Sequence, residues 1–435
     1  MLKDSSTASL ANRNVHRTVL PNGMVVLAVE NPAADIISAR IFVRAGGRYE
    51  QLEQAGISHL LTAVLTKGTT HLSAHEIAER VESVGASLGV DAGSDYSLLS
   101  FKTVSADFIE IFKLAAELLR SPTFPESEVE LERRFALQGI RSMQEQPSAV
   151  AQQQLRQAMY QSHPYALSGL GTEETVSQID REALLQYYQT HYRPDNMVVS
   201  IVGNVSPEEA IALTEKIFGD WTVPTVDGVP MPLPTIEPSA IASQPGLYST
   251  PQDTNQAIVM LGYLTASVHH PDYLALKLIS TYLGNGLSSR LFVELREKQG
   301  LAYEVSSFYP TRLDSSQFVA HIGTAPDNAA IALAGLHREI HRLKVQPLTD
   351  EELQTSKNKL LGQYALGKQT NAQIAQILGW YEILGLGIGF DQQFQDGVAA
   401  VTIEAVQEVA NRYFTAPYVS LVGPEAAIAS ISYPE

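Results

Sequence analysis

At 435 residues the chain is too long for a single hydrophobic core, and its length predicts roughly two to four domains. Hydrophobic residues make up 45% and charged residues 18%, the balance of an ordinary water-soluble protein, and no window approaches the continuous apolar run of a membrane span. The net charge of −17 argues against a nucleic-acid partner, and the absence of cysteine excludes disulfides, thiolate metal sites and cysteine nucleophiles.

The first residues, Met1-Leu2-Lys3-Asp4, read as a short polar tail without a signal-peptide core, so a cytoplasmic location is expected. Residues 15–30 read as a hairpin turning at Pro21-Asn22-Gly23, because Asn-Gly supplies the positive φ of a tight turn. A strand follows at 38–43, and apolar residues at helical spacing run through 55–66 and 73–84. A strand at 96–103 leads to a helix at 106–120. A long polar-faced helix begins after Pro125, and another lies near 180–191. The all-apolar run 197–203 predicts a buried strand, with a helix from Pro207.

The rest of the chain replays this order. Tyr418-Val419-Ser420-Leu421-Val422-Gly423 echoes the strand at 198–203, about 220 residues further on. Thr324-Ala325-Pro326-Asp327 echoes Val104-Ser105-Ala106-Asp107 at the same displacement, and Thr349-Asp350-Glu351-Glu352-Leu353 echoes Pro125-Glu126-Ser127-Glu128-Val129. This is an internal duplication of an α+β unit. Pro224, Pro230, Pro232, Pro234 and Pro238 stand between the halves and predict a semi-extended linker. The expected organisation is two α+β lobes, 1–221 and 248–435, joined by a linker at 222–247 in a clamshell arrangement.

The segment Gly56-Ile57-Ser58-His59-Leu60-Leu61-Thr62-Ala63, running on to Lys67-Gly68-Thr69, resembles the signature helix of the pitrilysin/insulinase metallopeptidases, whose motif is H-x-x-E-H. The first histidine stands as His59. Thr62 occupies the place of the general-base glutamate, and Ala63 that of the second histidine. The resemblance implies a third zinc ligand, a glutamate about 76 residues downstream, and that count lands on Gly139. A catalytic zinc takes three protein ligands, so His59 alone is not expected to hold one. His337 and His341 share an i, i+4 spacing on a basic helix face, and His71 with His75 repeats it at a helix start; neither reads as a metal site. Gly284-Asn285-Gly286-Leu287-Ser288-Ser289 follows a helix rather than a strand. It reads as a helix end and the next helix start, with Ser288 or Ser289 as the cap.

In the second half, Ser288-Ser289-Arg290-Leu291-Phe292-Val293-Glu294-Leu295-Arg296, continuing to Ala302-Tyr303, resembles the same family, which carries an arginine and a tyrosine seven residues apart here. The resemblance extends to Gly46-Gly47-Arg48, His163-Pro164-Tyr165 and Tyr192-Arg193-Pro194-Asp195-Asn196. It implies that Arg296 and Tyr303 hydrogen-bond a peptide near its scissile carbonyl. A charged donor and a phenol suit an oxyanion. Packing is the competing account: Arg296 against Glu297 and Tyr303 beside Val305. Short family members often pair a zinc-bearing subunit with one that keeps only the Arg-Tyr pair, and this chain resembles the second kind. It is therefore expected to bind no metal itself and to form a heterodimer with an H-x-x-E-H-bearing subunit that holds the zinc, or a homodimer when alone. Peptides are its expected substrates. A structural or peptide-binding protein without a role in proteolysis is the alternative from another class, and a stand-alone metalloprotease with rearranged ligands is a third.

Overall fold

The computed structural model describes residues 14–227, 229–233 and 243–433. The polar tail and the part of the expected linker around Pro234 and Pro238 lie outside them. Two compact units emerge, each an α+β layer structure on one mixed sheet.

The first sheet contains β1 (His16–Val19), β2 (Val25–Glu30), β3 (Ile36–Val43), β4 (Ser87–Ala92), β5 (Ser97–Val104) and β6 (Met197–Gly203), in the order β1-β2-β6-β3-β5-β4. All neighbours are antiparallel except β2 and β6. The expected hairpin is β1–β2. It turns at Gly23 (φ +89°), where a Cβ would come within 2.8 Å of the Asp195 Cβ, so glycine is required for both the turn and the close approach. The strand β4 escaped the sequence reading, because its residues are only half-buried and Gly89 interrupts the pattern.

In the described part of the expected linker, β7 (Thr225–Val226) and β8 (Val229–Pro230) pair as a two-residue ladder. The run is therefore not simply semi-extended. Arg193 donates to the carbonyls of Met231 (2.6 Å) and Pro232 (3.4 Å), which holds this stretch on the first unit.

The second sheet is built of β9 (Gly246–Pro251), β10 (Ala257–Thr265), β11 (Glu304–Phe308), β12 (Ser316–Thr324) and β13 (Tyr418–Gly423), in the order β11-β12-β10-β13-β9. Its only parallel pair is β13 with β9, the counterpart of β6 with β2. Even the register repeats. Ser38 opposes Val202 and Phe42 opposes Val198, while Ile258 opposes Val422 and Gly262 opposes Tyr418. The duplication read from the sequence thus extends to strand order, polarity and register.

Each sheet is apolar on both faces. In β3 and β6, Ile37, Ala39, Ile41, Met197, Val199 and Ile201 point into the main core of the first unit, with the helices Ile57–Val64, Phe108–Arg120 and Pro207–Phe218. Phe42 faces the other way and meets the helix Asn371–Ile383, which comes from the second half of the sequence. There the Gly379 backbone lies so close that a Cβ would stand 2.2 Å from the Phe42 ring. Arg17 binds Glu382 of that helix through two hydrogen bonds (2.6 and 3.1 Å), and Asn371 donates to the Ile36 carbonyl (2.9 Å). The second unit mirrors this. The helix Pro147–Tyr160, from the first half, packs Ala151, Leu155 and Met159 against Met260, Val319, Tyr418 and Val422. The two halves have traded one segment each, Arg141–Leu167 for Ala365–Gln392, and neither unit is continuous in sequence.

Candidate functional site

The degenerate zinc motif lies in the first unit, on the helix Ile57–Val64. That helix starts at Gly56 (φ +95°) and has no cap from its own first residue. The buried carboxylate of Glu50 supplies one instead, accepting from the backbone N–H groups of Gly56 (2.8 Å) and Ser58 (2.9 Å). Ser58 Oγ meets the Tyr187 hydroxyl at 2.8 Å, so the cap continues into a buried polar network. Burial holds the Glu50 carboxyl above the ordinary range against the pull of these donors.

Ile57, Leu60, Leu61 and Val64 point into the core, leaving His59 and Ala63 half-buried on one side, as an i, i+4 pair must be. Thr62 is buried and donates its hydroxyl to the His59 carbonyl (2.9 Å), so it satisfies itself on the helix and has no basic function to offer. Gly139 stands on the helix Glu126–Gln144, and a Cβ there would meet only the Leu170 Cδ1, at 3.8 Å. Space for a side chain exists, and the donor is missing. Burial lowers the His59 pKa below that of free histidine, against the opposing pull of Glu132 and Asp91, so the ring is neutral at pH 7.

Sequence reading missed the charged partners of this site. Lys67, of the Lys-Gly-Thr run, pairs with Glu132 at 2.9 Å. Glu132 lies seven residues before Gly139 on the same helix, two turns back on the same face, and that spacing is the signal that would have found it. One imidazole and a carboxylate already paired with an ammonium do not fit a catalytic zinc. Among the described residues no three of His, Asp and Glu gather as an ion site.

The other expected histidine pairs are structural. His337 and His341 have ring centroids 6.2 Å apart, with no third ligand among the described residues. His71 precedes the capping residue Ser73 and interacts with Glu117 Oε1 (3.3 Å), while His75 lies within the helix Ala74–Glu82. The motif residues elsewhere are also structural. His163 Nδ1 accepts from the Tyr165 N–H (3.1 Å), leaving Nε2 to donate to Asp314 (3.2 Å). Arg193 forms a two-pronged ion pair with Asp195 (2.7 Å each), and Asn196 ties the Arg44 and His191 carbonyls together.

Arg296 and Tyr303 lie in the second unit. Arg296 lies in the last turn of a π-helical stretch, Phe292–Glu297, an unusual winding that often marks a functional segment. The chain then turns through Gly300 (φ +64°), and Tyr303 stands just before β11, its N–H bonded to the Gly323 carbonyl at 2.9 Å. The Arg296 guanidinium lies over the Phe292 ring, 5.0 Å from its centroid, and donates to the Tyr303 carbonyl at 2.8 Å. The two residues are therefore joined through backbone, and the Tyr303 side chain is 60% exposed rather than packed beside Val305. Arg296 is exposed too and takes Phe292 rather than Glu297 as its neighbour. Ser289, one of the two expected caps, stands just before the following helical turn and its carbonyl accepts from the Val293 N–H, but its hydroxyl is buried without a partner and makes no capping bond.

Comparison with known proteins places these features. Residues 25–173 match the Insulinase (Peptidase family M16) family and residues 178–360 the Peptidase M16 inactive domain. The zinc protease YmxG of Bacillus subtilis is 27% identical over 96% of this chain and all of its own length. A zinc protease of Mycobacterium leprae is 29% identical over 95% of this chain and 92% of its own. Two solved structures share the fold at 24% identity. One is a peptidase M16 inactive domain from Pseudomonas fluorescens (TM-score 0.87, covering 97% of this chain and 100% of that one). The other is a protease from Helicobacter pylori (TM-score 0.88, covering 95% and 100%).

Proposed function

Since the chain belongs to the insulinase family of peptidases, family M16, we propose that it serves as the non-catalytic subunit of a heterodimeric zinc peptidase, helping to enclose and orient peptide substrates. The observation that carries this reading is a mismatch between the two halves. The signature helix offers His59, Thr62 and Ala63, and Gly139 stands where the third ligand is expected, whereas Arg296 and Tyr303 remain together and exposed. A chain retained only as a scaffold has no use for an exposed tyrosine beside an exposed arginine. Relatives that are named zinc proteases supply the setting, proteolysis.

In this reading the partner carries the H-x-x-E-H motif and the zinc, which polarises the scissile carbonyl and activates water. This chain contributes hydrogen bonds. The Tyr303 hydroxyl donates to the oxygen that becomes negative as the carbonyl turns tetrahedral. Arg296 adds a positive charge to the same region and holds the Tyr303 backbone through its carbonyl. Purified without a partner, the protein forms a homodimer that does not cleave peptides.

The test is to combine the chain with an H-x-x-E-H-bearing relative from the same organism and measure peptide cleavage. Tyr303→Phe in this chain is expected to lower turnover by about 10²- to 10³-fold, with assembly and the partner's zinc content intact. Arg296→Ala is expected to weaken peptide binding as well. Unchanged turnover per intact complex, with a lower melting temperature, would return both residues to a packing role.

A further inference from the structure

The second unit holds a pocket of about 250 Å³, lined by several charged and hydroxyl side chains, that the proposed peptidase role does not use. It lies between the end of the helix Tyr273–Gly284, the turn that follows, and the helix Asp350–Leu366. Its size suits a small molecule or a single functional group rather than a length of peptide.

Two of its four charged groups, Arg290 and Glu352, are already satisfied. Arg290 pairs with Glu339 (2.8 Å) and Glu294 (3.0 Å). Glu352 accepts from the Thr349 N–H (2.9 Å), the Thr349 hydroxyl (3.1 Å) and the Tyr282 hydroxyl (2.9 Å). Lys359 and Ser289 are not. The half-buried Lys359 ammonium donates to the carbonyl of Asn285, a neutral acceptor, which leaves two of its three hydrogens open to solvent or to an occupant of the pocket. Burial depresses its pKa, with no carboxylate countering. Ser289 is 2% exposed and lines the pocket, and its hydroxyl has no partner at all. An unpaired buried hydroxyl is destabilising by about 1–3 kcal/mol, so an acceptor or donor entering the pocket would gain from pairing with it.

An ammonium and a hydroxyl at one small pocket are complementary to an oxyanion. The exposed Glu351, which also lines it, disfavours a second negative charge on the occupant. We infer that this pocket binds the carboxylate of a small organic acid, held by Lys359 and Ser289.

Saturation-transfer NMR with acetate as the probe, on the full chain, tests this. Acetate is expected to give a signal that inorganic phosphate competes with only weakly and chloride at equal ionic strength does not reduce. The signal should fall to background in Lys359→Gln and in Ser289→Ala and persist in Lys113→Gln, an exposed lysine of the other unit. Ser289→Ala guards against misfolding as an explanation. Removing an unpaired buried hydroxyl should leave the acetate-free melting temperature unchanged or raised, so loss of the signal in that variant reports the pocket alone. Absence of signal in the unmodified protein, or a signal in both pocket variants as strong as in the unmodified protein, would overturn the inference. Phosphate binding more tightly than acetate would overturn the restriction to carboxylates.

Discussion

Glu50 shows how a single buried side chain sets up the motif helix. Its two oxygens accept from Gly56 and Ser58, so the helix that carries His59 is anchored from outside its own sequence. Glu50→Ala removes both acceptors and is expected to destabilise the first unit by about 1–3 kcal/mol, measured as a shift in urea midpoint at unchanged slope. His191 provides a pH-dependent counterpart. It is buried between Tyr187 and Tyr49, with ring centroids 4.3 and 5.8 Å away, and burial pushes its pKa down to about 4. The unfolded chain accepts a proton at this ring below about pH 6.5, and the folded chain refuses it until about 4. The stability it contributes is therefore complete above pH 6.5 and lost as the pH falls toward 4. Urea midpoints should drop across that interval, and His191→Gln should flatten the drop. His59, His321 and His337 are lowered in the same direction and add to the slope.

Helices and strands follow the sequence where one face is apolar and the other wet. Capping signals at Ser73 and Ser206 opened helices where the pattern placed them. The helices Pro147–Tyr160 and Asn371–Ile383 went unread, because alanines and glutamines interspersed among their apolar residues leave little periodicity. Their importance is a matter of close approach. Gly379→Ala puts a methyl group 2.2 Å from the Phe42 ring and is expected to destabilise the first unit by about 1–3 kcal/mol. Gly362→Ala, on an exposed helix face with nothing within 4 Å, should instead stabilise by up to about 1 kcal/mol. Thermal or urea unfolding of the two variants separates packing from propensity. A loss in both would point to a common backbone effect and remove the special role of Gly379.

For the whole molecule the central question is metal and partner. The unaltered chain should purify with far less than one zinc per chain and leave unstructured peptides intact. Thr62→Glu, Ala63→His and Gly139→Glu introduced together should raise zinc toward one per chain by elemental analysis, while any one alone should not. The space at Gly139 favours this outcome, and the burial of Thr62 is the main obstacle. Stoichiometric zinc in the unaltered chain, surviving mild chelation, would refute the proposal that it is metal-free. A permanent complex should bury roughly 2,000 Å² or more, and light scattering of the chain with an H-x-x-E-H-bearing relative should report the mass of a pair.

The sequence by itself determined the α+β class, the duplication and the identity of the motif positions. Strand alternation, turn residues and motif spacing are local properties, and the repeat made each of them readable twice. The loss of the base and ligands at Thr62, Ala63 and Gly139 needed no coordinates either, since a methyl group or a hydrogen atom cannot coordinate a metal. Tertiary structure alone decided that Arg296 reaches Tyr303 through a carbonyl and that Ser289 is left unpaired in a pocket it shares with Lys359. It alone decided the exchange of Arg141–Leu167 for Ala365–Gln392. A sheet apolar on both faces must be covered twice. Which helix covers the second face is settled by fit at Phe42, Gly379 and Gly262, among residues too far apart in sequence for any local pattern to connect.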